Sequence, residues 1–286
     1  MNFGIITNTL KPQAINLLPD LKIWLRNQNQ TVVSEEDFAT GSKNSNQIRK
    51  EIVKQSDVLI SLGGDGTILA TAQIVGESQK PILGVNFGTL GFLTETNVSE
   101  LYAHLKKIII GNYKIEQRFP LEGSFKGKKS FALNDFVIEK GKFTRLIETK
   151  VEVNGDFVNT YLSDGVIIAT PTGSTAYSLS CGGPIVTPET EVVILTPVSP
   201  HNLTTRPLVF PIQNEISIQV VSSESSPSLS ADGMFVNSLN KGEIFTVRKS
   251  KFSVNLIRCS DKSFYDILRA KLHWGEDTRS SVGKKN

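Results

Sequence analysis

The residues best suited to chemistry sit in one short turn, Leu62-Gly63-Gly64-Asp65-Gly66-Thr67. It lies between an unbroken apolar run, residues 58–62, and a helical pattern over residues 67–75. Three glycines let the backbone bend tightly and approach a ligand without Cβ interference. A helix starting there aims its free N–H groups and positive dipole end at the turn, which suits a phosphate. Asp65 is the odd element, because a carboxylate repels phosphate. It fits if it holds a metal or takes a proton from an attacking hydroxyl. The bland reading is a strand–helix turn whose Asp caps the helix. Other phosphate fingerprints are absent. Gly123 and Gly127-Lys128 stand one residue too close for a P-loop, and nothing matches the full G-x-G-x-x-G pattern.

A second cluster runs Asp164-Gly165-Val166-Ile167-Ile168-Ala169-Thr170-Pro171-Thr172-Gly173-Ser174-Thr175-Ala176-Tyr177. A strand leads into a turn rich in Pro, Gly, Ser and Thr that would start a helix near Thr175. Such a turn offers hydroxyls, backbone N–H groups and one aromatic face, an inventory that fits a ribose and a base. An elaborate N-cap would account for Ser174 or Thr175, but not for the density of small polar residues.

The elements that must hold these clusters fall into two grammars. Over the first hundred residues, strand-like runs at 3–7, 31–33, 58–62 and 81–85 alternate with helical patterns. Ile15, Leu18, Leu21, Ile23 and Leu25 mark one helix, and Ile48, Ile52 and Val53 another. That alternation predicts a parallel, doubly wound α/β sheet covered on both faces. From about Tyr113, short strands follow one another at 131–138, 147–153, 166–169, 192–195, 216–221, 244–247 and 253–257. Asn154-Gly155 between two such runs signals a hairpin, since both residues accept positive φ. The reading is an α/β domain over 1–112 and a β-rich, sandwich-like domain over 113–262. Residues 275–286 read as a loose tail.

Bulk properties exclude more than they choose. The chain has 286 residues, 39% hydrophobic and 21% charged, which is ordinary for a globular protein. A net charge of +3 is too mild to argue for nucleic acid. Lys126, Lys128 and Lys129 around Gly127 read as a solvated turn between strands. No stretch approaches the roughly 18 apolar residues of a membrane span. The first residues lack the basic start of a secretory signal and read as a strand. Cys181 and Cys259 form no metal-ligand spacing or redox pair and read as free thiols.

At this point the sequence resembles the NAD kinase family. Gly63-Gly64-Asp65-Gly66-Thr67 looks like its GGDG signature, shared with diacylglycerol and sphingosine kinases. The segment from Gly84 to Thr94, the pair Asn134-Asp135, and the run from Asp164 to Pro184 resemble its further motifs. Pro200-His201-Asn202-Leu203, Arg206-Pro207-Leu208 and Ala231-Asp232-Gly233 follow in the expected order. The resemblance implies a kinase that phosphorylates the 2′-hydroxyl of NAD's adenosine ribose, using ATP or inorganic polyphosphate with Mg²⁺ or another divalent cation. It implies Asp65 as proton acceptor and Gly63, Gly64 and Thr67 as phosphate-binding. Dinucleotide binding would fall to Asp65, Gly66, Asn134, Asp135, Arg145, Asp164, Thr175, Ala176, Tyr177, Ser178, Leu179 and Ser180. It assigns no metal ligands. It also implies a terminal helix, 263–274, packing back on the first domain, and a cytoplasmic homo-oligomer, dimer or tetramer.

Three positions depart from the family pattern. Asp135 stands where Glu is usual, Leu162 where some relatives are polar, and Met234 where a polar residue is frequent. Two rival readings remain: a lipid kinase of the diacylglycerol or sphingosine type, and a non-catalytic NAD sensor. Lipid kinases continue after the next strand with Pro-Leu-Gly-Thr-x-Asn-Asp, where this chain has Asn86-Phe87-Gly88-Thr89-Leu90-Gly91-Phe92. A sensor would be marked by loss of Asp65, which is present.

Overall fold

Every residue of the strands Val58–Gly63 and Ile82–Asn86 is buried, as unbroken apolar runs require of strands covered on both faces. The computed structural model describes residues 1–38, 44–88, 91–141 and 145–272. The chain divides into two units. One comprises Met1–Val75, Lys80–Glu116 and Asn255–Asn286, and the other Gly76–Gln79 and Gln117–Val254.

The first unit is built on one sheet ordered Thr31–Ser34, Asn2–Thr7, Val58–Gly63, Ile82–Asn86, Val254–Arg258 and Lys114–Arg118. The pairs from Thr31–Ser34 through Ile82–Asn86 are parallel. Alternate strand residues face opposite ways. Phe3, Ile5, Ile60 and Leu62 pack with Leu18, Leu21 and Leu25 of the helix Pro12–Asn27 and with Leu105 of the helix Leu101–Ile109. Gly4 and Gly84 face the other side, where a Cβ would strike Ile52 and Ile68 of the helices Ser45–Gln55 and Asp65–Val75. Helices on both faces make this the doubly wound class read from the sequence.

Two differences concern strand membership and one missed helix. The run at 253–257, read with the β-rich half, becomes the strand Val254–Arg258, which pairs in parallel with Ile82–Asn86. Its side chains Leu256 and Ile257 are buried, an apolar pattern that does not say which sheet will take it. The helix Leu101–Ile109 has Leu101, His104, Leu105 and Ile108 buried, at the spacing of one helical face. The sequence reading passed over it.

The second unit holds two antiparallel six-stranded sheets. Leu121, Val151, Ile218 and Phe245 of one sheet join Phe136, Ile138, Ile168 and Leu195 of the other in a single apolar core. Phe136 and Phe245 meet edge to face at 5.1 Å, and Gly123 leaves them room. This is the sandwich expected. Asn154 and Gly155 take positive φ, 52° and 87°, and join Ile147–Val153 to Asp156–Ser163 as a hairpin. Lys126 and Gly127, also at positive φ, turn the chain between Leu121–Phe125 and Lys128–Ala132. The run read as one strand over 131–138 is two, Lys128–Ala132 and Asp135–Glu139. They part at Leu133-Asn134, whose N–H groups leave the ladder for the Asp232 carboxylate.

The helix Phe264–Leu272 belongs to the first unit, and Phe264 packs against Phe92 at 6.4 Å. The expected tail, 275–286, lies outside the described residues. Both cysteines are free.

Candidate active site

In the α/β unit the strand order itself opens a site. Asn2–Thr7 has Thr31–Ser34 on one side and Val58–Gly63 on the other, so the winding reverses between Asn2–Thr7 and Val58–Gly63. Loops leaving the C-terminal ends of two such strands diverge and leave a crevice. Here a cleft of about 530 Å³ is lined by Asn8, Lys11, Arg49, Gly64, Asp65 and Thr67, among others. Lys11 donates its ammonium to the carbonyl of Gly63, and the Asn8 N–H bonds the carbonyl of Leu62 at 2.9 Å. The helices Pro12–Asn27 and Asp65–Val75 both begin at this cleft. Thr7 also lines it, and its buried hydroxyl has no hydrogen-bond partner among the described residues.

The glycines answer to geometry. Gly64 has φ +152°, and a Cβ on Gly63 would sit 1.9 Å from Thr67 Oγ1. Thr67 is buried, whereas Gly66 is exposed with open space around it.

Asp65 is not a helix cap turned inward on its own helix. Its Oδ2 accepts the N–H of Phe92 at 2.8 Å. Its Oδ1 accepts the N–H groups of Leu93 at 3.2 Å and Thr94 at 2.9 Å, and the Thr94 hydroxyl at 2.9 Å. Successive backbone N–H groups of one turn thus form an anion nest around the carboxylate. A Cβ on Gly91 would lie 1.9 Å from Asp65 Oδ1, so glycine is required there.

In the β-rich unit, register gathers the second cluster. Asp135 pairs with Ala169, and Phe136 with Ala231. Asn134-Asp135, residues 170–175 and Asp232-Gly233 therefore share one end of the sheet. Gly173 presses against Asn134 so closely that a Cβ would meet its carbonyl at 2.1 Å. The Asn134 carbonyl accepts the N–H of Thr170 at 2.8 Å. Asp135 is buried, and burial first, then the charge of Asp232, pushes its carboxyl up to about 7.

Asp164 precedes the strand Gly165–Ala169, at the end opposite Thr170 and roughly 17 Å away at strand rise, where Lys140 pairs with it at 2.7 Å. The helical turn expected near Thr175 resolves into a 3₁₀ turn, Thr172–Thr175, and a single α-turn, Tyr177–Ser180. Ala176, with ψ −131°, breaks the two apart. Cys181, just after that α-turn, packs on the sheet face made by Val137, Ile167 and Ala169. Tyr177 is 40% exposed, and burial of its ring together with Cys181 raises its hydroxyl pKa. Ser178 is buried and bonded to Thr196 at 2.8 Å, while Leu179 is half-buried and Ser180 exposed. Arg145 stands apart, 87% exposed and paired with Glu224 at 3.1 Å. Leu162 and Met234 are exposed.

Two family models match the chain in order. ATP-NAD kinase N-terminal domain covers residues 3–113, and ATP-NAD kinase C-terminal domain covers residues 133–259. The chain belongs to the NAD kinase family. It is 40% identical to the NAD kinase of Chloroherpeton thalassium, over 98% of this chain and 100% of that one. It is 39% identical to that of Moorella thermoacetica, over 95% and 89%. Among solved structures it is similar to yeast NADH kinase complexed with NADH, at a TM-score of 0.87 and 26% identity over 97% and 88%. It is also similar to an Archaeoglobus fulgidus NAD kinase in complex with ATP, at 0.76 and 25% over 94% and 98%. The chain is therefore a phosphotransferase, an ATP-dependent NAD kinase by family, and the lipid-kinase reading is set aside. No described helix is long and apolar enough to cross a membrane.

Sequence reasoning gave no role to Lys11, Asn86 or Thr94. Lys11 follows the first strand with no motif around it. Asn86 and Thr94 lie inside a segment noted for its resemblance alone, and only the fold brings Thr94 to Asp65.

Proposed function

We propose that this chain transfers the terminal phosphoryl group of ATP to the 2′-hydroxyl of NAD's adenosine ribose, with Asp65 accepting the proton. The observation that carries this reading is the Asp65 carboxylate, fixed in its nest at the rim of a cleft where two helices start. The ribose 2′-oxygen bonds to the γ-phosphorus as its proton passes to Asp65. The bond from that phosphorus to the β,γ-bridging oxygen breaks, and ADP leaves with the electron pair. The proton on Asp65 then passes to solvent. In such transfers catalysis is mostly positioning and charge stabilisation.

Gly63, Gly64 and Thr67 hold the donor phosphates, aided by Lys11 and the two helix N-termini. Inorganic polyphosphate offers the same chemistry as an alternative donor. Among the described residues no group of three His, Cys, Asp or Glu side chains could cage a metal. Mg²⁺ commonly rides on nucleotide phosphates with few protein ligands. When bound, it would neutralise triphosphate charge.

In the β-rich unit, Asn134, Asp135, Arg145, Asp164 and residues 175–180 bind the dinucleotide. Arg145 is suited to this because exposed ion pairs are worth only about 0–1 kcal/mol, so Glu224 gives it up easily. Ser178, committed to Thr196, shapes the turn. The proposal extends to a homo-oligomeric, cytoplasmic protein.

Purified protein incubated with NAD, ATP and Mg²⁺ tests the reading. NADP should form, with phosphorus NMR placing the new phosphate on the ribose 2′-oxygen. No NADP with either ATP or polyphosphate, or phosphate at another oxygen, would overturn it.

A further inference from the structure

Thr94 is fully buried, beyond the reach of ligand or water, yet its hydroxyl sits on the Asp65 carboxylate at 2.9 Å. Two further groups approach the same oxygen: the N–H of Gly91 at 3.0 Å and Nδ2 of Asn86 at 3.3 Å. Gly91 can only donate there. Asn86 donates too, because its Oδ1 accepts the N–H of Gly88 at 3.2 Å, which fixes the amide's orientation. A hydroxyl has one hydrogen and two lone pairs. Both lone pairs are taken, so the hydrogen goes to Asp65 Oδ1.

The consequence for Asp65 is asymmetric. Among the described residues, one carboxylate oxygen receives three donors and the other one. The second oxygen keeps an open lone pair at a fixed place in space. We propose that Thr94, aligned by Asn86, is a positioning residue of the phosphoryl transfer: it fixes the plane of the Asp65 carboxylate so that this open lone pair meets the acceptor hydroxyl. Thr94, fully buried, does not touch substrate. The backbone N–H groups of residues 92–94 hold the carboxylate in place, and the hydroxyl removes its remaining freedom to swing. The inference rests on Asp65 as proton acceptor.

Steady-state kinetics on Thr94 variants test it. Thr94→Val keeps the shape and removes the hydroxyl. It should lower kcat about ten- to a hundred-fold, the worth of a hydrogen bond to a charged group, with KM for NAD unchanged. Thr94→Ser keeps the hydroxyl, loses the methyl, and should restore most of kcat. A residue needed only for packing would show the reverse order. If Thr94→Val does not fold, the Ser and Ala variants differ by the hydroxyl alone and carry the same comparison. Placed on Asp65→Asn, Thr94→Val should cost nothing further, since coupled residues are not additive. Wild-type kcat in Thr94→Val, equal loss in the Ser and Ala variants, or full additivity would overturn the proposal. An inactive Asp65→Asn beside a normal Thr94→Val would reject the role of Thr94 and leave the base intact. An active Asp65→Asn would reject both.

Discussion

Asp65 and Asp135 are both carboxylates at the end of a buried strand, and their surroundings differ in kind. Asp65 collects three backbone N–H groups and a hydroxyl. Asp135 takes no hydrogen bond on its carboxylate from the described residues. The neighbouring N–H groups of Leu133, Asn134 and Asp135 itself serve Asp232 instead. Buried beside that second charge, Asp135 titrates near 7. Where the backbone delivers its donors decides what each carboxylate is for. The first is a fixed acceptor, and the second a group whose charge a ligand, or pH, can change.

The largest way to break this contrast is to crowd the nest. Gly91→Ala puts a Cβ against the Asp65 carboxylate, and a misplacement on the order of 1 Å can cost about a hundredfold in rate. NADP formation should fall by about that factor with Asp65 still present. Wild-type turnover in this variant would mean the nest geometry does not matter.

Asp135→Ala, assayed at pH 8 where the carboxylate is ionised, should weaken NAD binding about ten- to a hundred-fold. Asp135→Glu, which restores the family's longer side chain, should keep activity. Unchanged NAD affinity by calorimetry in Asp135→Ala would remove it from the site. Tyr177→Ala should weaken NAD by up to about tenfold, through lost ring contact. A melting curve separates that loss from a loss of folding.

Asp135 also sharpens the contrast through stability. Its carboxyl, about 7 when folded against 3.8 otherwise, holds an extra proton in the folded state between those values. Its contribution to stability therefore falls as pH rises from about 4 to 7, by at most about 4 kcal/mol. Asp135→Asn removes this dependence. Its melting temperature should gain on wild type from pH 5 to pH 8, and a constant difference would contradict the raised pKa.

Much of this was legible in the residues. The glycines of the turn, the 3.6-residue spacing of Leu18, Leu21 and Leu25, and the Asn154-Gly155 hairpin are local signals, set by backbone sterics and by which face is buried. What was missed is long-range. Nothing near residues 253–257 says which sheet takes that strand, because an apolar run fits either core. Nothing near Thr94 says that its hydroxyl will find a carboxylate from the turn at residue 65. Asp135 looked like a dinucleotide contact one methylene shorter than the usual Glu, but its charge state depends on Asp232, distant in sequence and adjacent only through the ladder.

The most direct test of the account is Asp65→Asn, followed by single-turnover NADP formation at saturating NAD and ATP, with NAD affinity measured by calorimetry. An amide keeps the shape of the carboxylate but cannot take the ribose proton. The rate should fall about 10²–10⁴-fold while NAD affinity stays near that of wild type. A variant that keeps more than half of the wild-type rate would contradict the account, leaving Asp65 a structural anchor for residues 92–94 and nothing more.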